Sequence, residues 1–121
     1  MIYHITTHED WEKARVTGEY KAASLHSEGF IHCSTLKQTI DTANLFFKGK
    51  EDLILLCIDE NKLKPECKYE NPAGGRKHDP AVGNLFPHVY GPINIPAIIK
   101  IVDFPSGKNG LFMLPDGICN D

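Results

Sequence analysis

The stretch Leu53-Ile54-Leu55-Leu56-Cys57-Ile58 constrains the fold more than any other. It is a continuous apolar run of strand length, preceded by Glu51-Asp52 and followed by Asp59-Glu60-Asn61. Alternation would mark a strand with one face in water; a run without alternation marks one buried on both faces. The chain must therefore supply a layer on each side of this segment. With 121 residues it is long enough to build one such core without disulfide staples.

The layers can be read on either side of that run. Ile2 to Ile5 reads as a first strand. Thr7-x-x-Asp10 resembles a capping box, Trp11, Ala14 and Arg15 share one helical face, and Gly18 is a stop, predicting a helix from His8 to Thr17. Tyr20 to Leu25 has no clear period, and Ser27-Glu28-Gly29 reads as a turn into a strand at Phe30. Thr35-x-x-Gln38 opens a second helix, with Ser34 as the competing cap. Leu36, Ile40, Ala43 and Phe47 form its apolar stripe, Asn44 lies at the edge of that stripe, and Gly49 is the expected terminal cap. Cys67 to Glu70 is a further strand. Residues 71–85 are rich in Gly, Pro, Asn and charge, a long loop of functional or mobile character. Ala97 to Phe104 reads as a strand, and a hairpin-like turn at 105–110 leads to a last one at Leu111 to Leu114. The expectation is one α+β domain over residues 1–121, strand-rich, with two helices near the N-terminus.

Three short strands share a pattern of histidine followed two positions later by a hydroxyl residue: His4 with Thr6, His32 with Ser34, and His88 with Tyr90. Side chains two apart on a strand project to one face, so each pair would line the same surface. A single His on an apolar strand is more often a satisfied structural group, and hydroxyl partners fit that reading as well. Three repeats of the pattern point instead to a cleft lined by His4, His32 and His88, where neutral imidazole can orient a ligand or shuttle a proton. Prolines 87 and 92 stiffen the backbone around His88 and Tyr90, which suits either a rigid wall or an edge strand.

Other chemistries have less support. No compact metal-ligand spacing such as H-E-x-x-H is present, so no metal site is assigned. Cys33 would point away from His32 on an extended strand, and no glycine elbow presents it as a nucleophile. The acids nearest to strand ends are Glu28 and Glu70, with nothing in the sequence to set their separation. Gly74-Gly75-Arg76-Lys77 could meet phosphate, but Asp79-Pro80 follows where a P-loop needs Ser or Thr opening a helix. Arg76 is the ligand-binding candidate if that loop closes over the cleft. A formal charge of −3 offers no basic field for nucleic acid. No apolar run approaches the ~20 residues of a membrane helix. Without an export signal at Met1 to His4, the expected setting is cytoplasmic, with the four cysteines as free thiols.

Five phrases together resemble a small bacterial family, the domain of unknown function 952. They are Ile2-Tyr3-His4-Ile5; Trp11 with Ala14, Gly18 and Tyr20; Ser24-Leu25 with Glu28 through Ser34; Ala43-Asn44 with Phe46-Phe47; and Phe86 through Pro92. The resemblance covers residues 1 to about 100. That family is grouped with the ADP-ribosyltransferase-like superfamily, which implies split, mostly antiparallel sheets around a cleft that holds NAD. The resemblance implies His4 at the superfamily's first position, by the adenine-side ribose. His32 with Ser34 would flank the nicotinamide, while His88 and Tyr90 close the pocket, His88 being the candidate acid/base. No Glu stands in the late segment where NAD-cleaving members carry one. The implied roles are then catalytic for His88, His32 and Tyr90, and ligand-binding for His4, Thr6, Ser34 and Arg76. NAD is the candidate substrate, no resident cofactor is assigned, and 2′-phosphorylated RNA stays open by analogy with His-rich members. The competing expectation is a binding module that has lost its chemistry and meets a protein partner.

Overall fold

β4, Leu53–Ile58, is buried at every position and lies in the middle of a three-stranded antiparallel sheet, as its unbroken apolar run requires. β1, Ile2–Thr7, pairs along one edge from Ile2 opposite Ile58 to Thr7 opposite Leu53; β8, Ile98–Asp103, pairs along the other. The computed structural model describes residues 1–71, 85–115 and 117–118. Two smaller antiparallel sheets complete the strands. One joins β2 (Glu19–Tyr20) to β7 (Ile93–Asn94), and the other has the order β3 (Ile31–His32), β6 (Phe86–Val89), β5 (Cys67–Glu70). A pair of backbone hydrogen bonds between Tyr3 and Ser34, each 2.8 Å, ties the first sheet to the β3 segment.

The first sheet separates two packing zones. Ile2, Ile54, Leu56 and Ile58 on one face pack with Ile31, Val89 and Ile93 from the small sheets and with Ala14 of helix α1, His8–Thr17. Ile5, Leu53 and Leu55 on the other face pack with Ala43 of helix α3 and with Phe104 and Phe112. α3, Leu36–Phe46, starts with the capping box predicted for it: Thr35 is the cap, and its N–H donates to Gln38 Oε1 at 2.9 Å. α1 begins at Thr7, whose hydroxyl accepts from the Asp10 N–H, and ends at Gly18 with φ of 93°.

Four expectations need correction. There is a third helix, α2, over Ala23–Glu28, and Gly29 is its left-handed cap rather than a turn residue. Six residues without a side-chain cap are too few for a periodic signal. α3 ends at Phe46, before Gly49, with Phe47 as its cap. Leu111 to Leu114 is not a strand; Asn44 holds it in place, its Oδ1 accepting from the Phe112 N–H at 2.7 Å. Finally, β6 is the central strand of its sheet although it contains Pro87. The proline still gives its carbonyl to the Cys33 N–H at 3.0 Å. The long loop lies almost wholly outside the described residues, and Arg76 with it.

Candidate functional site

One face of the β3–β6–β5 sheet carries the chemistry. Residues opposite one another in antiparallel strands share a face, and the register sets His32 opposite His88, Lys68 opposite His88, and Glu70 opposite Phe86. Alternation sends Ile31, Cys33 and Val89 to the other face, where all three enter the core. Glu70 and His88 are thus diagonal neighbours, and their side chains meet: His88 Nδ1 lies 2.9 Å from Glu70 Oε1. The Tyr90 hydroxyl donates to the same carboxylate oxygen at 2.5 Å.

Histidine 88 is fully buried, and its Nε2 has no partner among the described residues. An ionised carboxylate accepts but cannot donate, so Nδ1 carries the proton and Nε2 is left as an acceptor. Burial pulls the His88 pKa down against the raising effect of the Glu70 hydrogen bond, and His32 nearby lowers it further. Glu70 is raised by burial, yet the hydrogen bonds from Tyr90 and His88 outweigh this and hold its pKa below the usual carboxylate value. The Tyr90 phenol is pushed up to about 12, first by its bond to Glu70 and then by burial. The result is a neutral imidazole steered by a charged carboxylate, the arrangement that prepares a general base.

Around His88 the rings are close. Phe30 stacks on it at 4.1 Å between centroids, and His32 approaches edge-on at 5.3 Å. His32 is half-exposed, with Nε2 3.1 Å from Glu28 Oε2. His88 and His32 both line a cavity of about 370 Å³ between the β1–β3–β6 region and α3. Its other walls are mainly apolar, with Tyr3, Phe46, Phe47 and Phe86 among them.

His4 and Ser34 line the cavity, Thr6 is buried on the same strand as His4, and the polar groups of all three are engaged within the fold. His4 lines the cavity, but both ring nitrogens are engaged, Nδ1 with the His32 carbonyl at 2.6 Å and Nε2 with the Tyr20 hydroxyl at 2.8 Å. Burial lowers its pKa to about 4, so it is neutral near pH 7. The carbonyl demands a proton on Nδ1, so Nε2 accepts from Tyr20, and the Thr6 hydroxyl, 2.9 Å from that of Tyr20, completes the chain as donor. Ser34 is buried against Thr39 Oγ1 at 2.9 Å, whose own proton goes to the Thr35 carbonyl. All three spend their polar atoms inside the fold.

His4, His32 and His88 thus all line the one cavity, His32 and His88 touching through their rings and His4 holding the His32 backbone carbonyl. Their partners differ from the hydroxyls two residues on: Tyr20 serves His4, Glu28 serves His32, and Glu70 serves His88. Sequence reasoning named Glu70 and Glu28 only as acids near strand ends, without a histidine partner, and it missed Tyr20 and Phe30 as site residues. The Lys68/Glu70 alternation signals a polar face on β5, but not that β6 lies beside it. Among the described residues no group of three His, Cys, Asp or Glu side chains could hold a metal ion. No described helix is long and apolar enough to cross a membrane.

The family model described as Protein of unknown function (DUF952) matches residues 5–101. The chain belongs to this family. Among solved structures it is similar to the crystal structure of protein CC0527 from Caulobacter crescentus, with 28% identity and a TM-score of 0.78 over 93% of this chain and 92% of that one. The solution NMR structure of CC0527 matches at 27% identity and a TM-score of 0.68, covering 91% and 89% of the two chains. The same α+β arrangement is thus present in a bacterial protein 28% identical to this chain. No curated protein matches the chain.

Proposed function

We propose that the cavity binds the nicotinamide end of NAD or a related nucleotide, and that His88 is the proton acceptor of an ADP-ribosyl transfer. In this reading the three small antiparallel sheets are the split sheets of an ADP-ribosyltransferase-like fold. The observation that carries it is the Nε2 of a buried His88, which has no partner among the described residues while its other nitrogen is held by Glu70. A buried acceptor without a donor is costly unless something enters to supply one. The nicotinamide of NAD is flat and positively charged, which suits the aromatic walls at Phe46, Phe47 and Phe86. A cavity of about 370 Å³ is at the small end for ligand sites, enough for one ring and part of its ribose.

In transfer, an acceptor hydroxyl gives its proton to Nε2 and its oxygen bonds to the ribose carbon as the bond to nicotinamide breaks. Nicotinamide leaves neutral, and Glu70 steadies the resulting imidazolium.

A second reading is a binding module without turnover, with Nε2 holding the carboxamide N–H. It is favoured by the engagement of Glu70 with Tyr90 and His88, which leaves no free carboxylate for the ribose. Thermal melting with NAD, ADP-ribose and nicotinamide, on the native chain and on His88→Gln, tests both. Stabilisation by NAD that His88→Gln loses, with nicotinamide released on incubation, supports transfer. Stabilisation without release supports the module, and no stabilisation at millimolar NAD rejects both.

A further inference from the structure

We propose that His32 is the proton relay between the buried His88 and solvent. This rests on the reading of His88 as the proton-accepting group. The His88 ring is fully buried, so a neighbouring group is needed to carry its proton to water while the cavity is occupied, and among the described residues its neighbours leave one candidate. Glu70 lies on the Nδ1 side and shares its oxygen with Tyr90. Phe30 covers the ring face and carries no proton. Lys68, opposite on β5, has Nζ 5.2 Å over the Tyr90 ring. His32 alone combines an imidazole, an edge-on approach to His88 at 5.3 Å, and a side chain 44% exposed.

Its position is also well determined. The strand register places it opposite His88, the His4 Nδ1–H holds its carbonyl at 2.6 Å, and Phe30 packs on its ring at 4.8 Å. Glu28 holds the outer nitrogen at 3.1 Å. Both rings line the cavity, and a water entering it between them would complete the path. To reset the site, the imidazolium of His88 gives its Nε2 proton to that water. The water passes a proton to the inner nitrogen of His32, and His32 releases one from its outer nitrogen to solvent, with Glu28 stabilising the transient cation. Each group ends with the proton count it began with, and one proton reaches water.

The test is NMR of the His88 ring in the unliganded protein, titrated downward from neutral pH, in the native chain, His32→Gln and Glu28→Gln. The native chain should give one averaged His88 signal through its titration. In His32→Gln, exchange should slow at least about tenfold, broadening or splitting that signal, and added imidazole should restore it. Glu28→Gln, which leaves the ring in place, should slow exchange by less. An averaged signal in His32→Gln, or slow exchange that imidazole does not rescue, overturns the relay. If His32→Gln fails to fold, native rates in Glu28→Gln count against it and slowed, imidazole-rescued exchange supports it. No nucleotide is present, so failure to bind NAD leaves the relay standing, and a failed relay leaves NAD binding standing.

Discussion

His4 and His88 are both buried histidines on strands, and they differ in one atom. His4 has a partner on each ring nitrogen, the His32 carbonyl and the Tyr20 hydroxyl. His88 has one, Glu70, and among the described residues nothing meets its Nε2. A saturated buried imidazole joins two elements, here β1 to the β3 segment and to β2. An unsaturated one is a cost to the fold that binding can recover. Completeness of hydrogen bonding, rather than burial or residue type, separates the structural histidine from the one proposed to act on a ligand.

The most direct way to break this contrast is to remove each imidazole in turn. His4→Leu takes the ring donor from the His32 carbonyl and the acceptor from the Tyr20 hydroxyl, which keeps only Thr6, and should cost about 3 kcal/mol of unfolding free energy. His88→Leu loses the Nδ1 bond to Glu70, which keeps Tyr90, but also removes an Nε2 with no partner among the described residues, so its net cost should be about 1 kcal/mol. Equal losses by urea denaturation would remove the distinction.

The next largest effect is on pH dependence. Burial holds the His4 pKa near 4 against an ordinary 6.5, so the unfolded chain binds a proton first. Stability is then complete above pH 6.5 and falls as pH drops toward 4, by roughly 3 kcal/mol from this group. His88, also lowered, adds to the same loss, and Glu70 adds more as pH falls below its ordinary 4.5. Urea midpoints measured at steps from pH 7 to 4 should therefore decline, and His4→Gln should flatten the decline.

Smaller effects sharpen the comparison. Tyr20→Phe removes the donor to His4 Nε2 and should cost about 1–2 kcal/mol, making His4 resemble His88. Glu70→Gln keeps a partner for Nδ1 but removes the charge, so His88 should titrate at lower pH in an NMR titration. An unmoved His88 would mean that Glu70 does not steer it.

Much of the fold was legible because its signals are local. The apolar run at Leu53 to Ile58, the Thr35/Gln38 box and the Gly18 stop each declare themselves within a few residues. α2 was not legible, because six residues hold too little period, and neither was the central place of β6, since Pro87 argues for an edge. The histidines of the site could be named in advance, but not their partners. Glu70 is separated from His88 by 18 positions and Tyr20 from His4 by 16. Residue order determined the three histidine strands and the faces on which their side chains alternate. Only the tertiary structure decided that β5 lies against β6 and that Tyr20 reaches β1. Strand pairing is a long-range choice, and it alone settled which imidazole nitrogen was left without a partner.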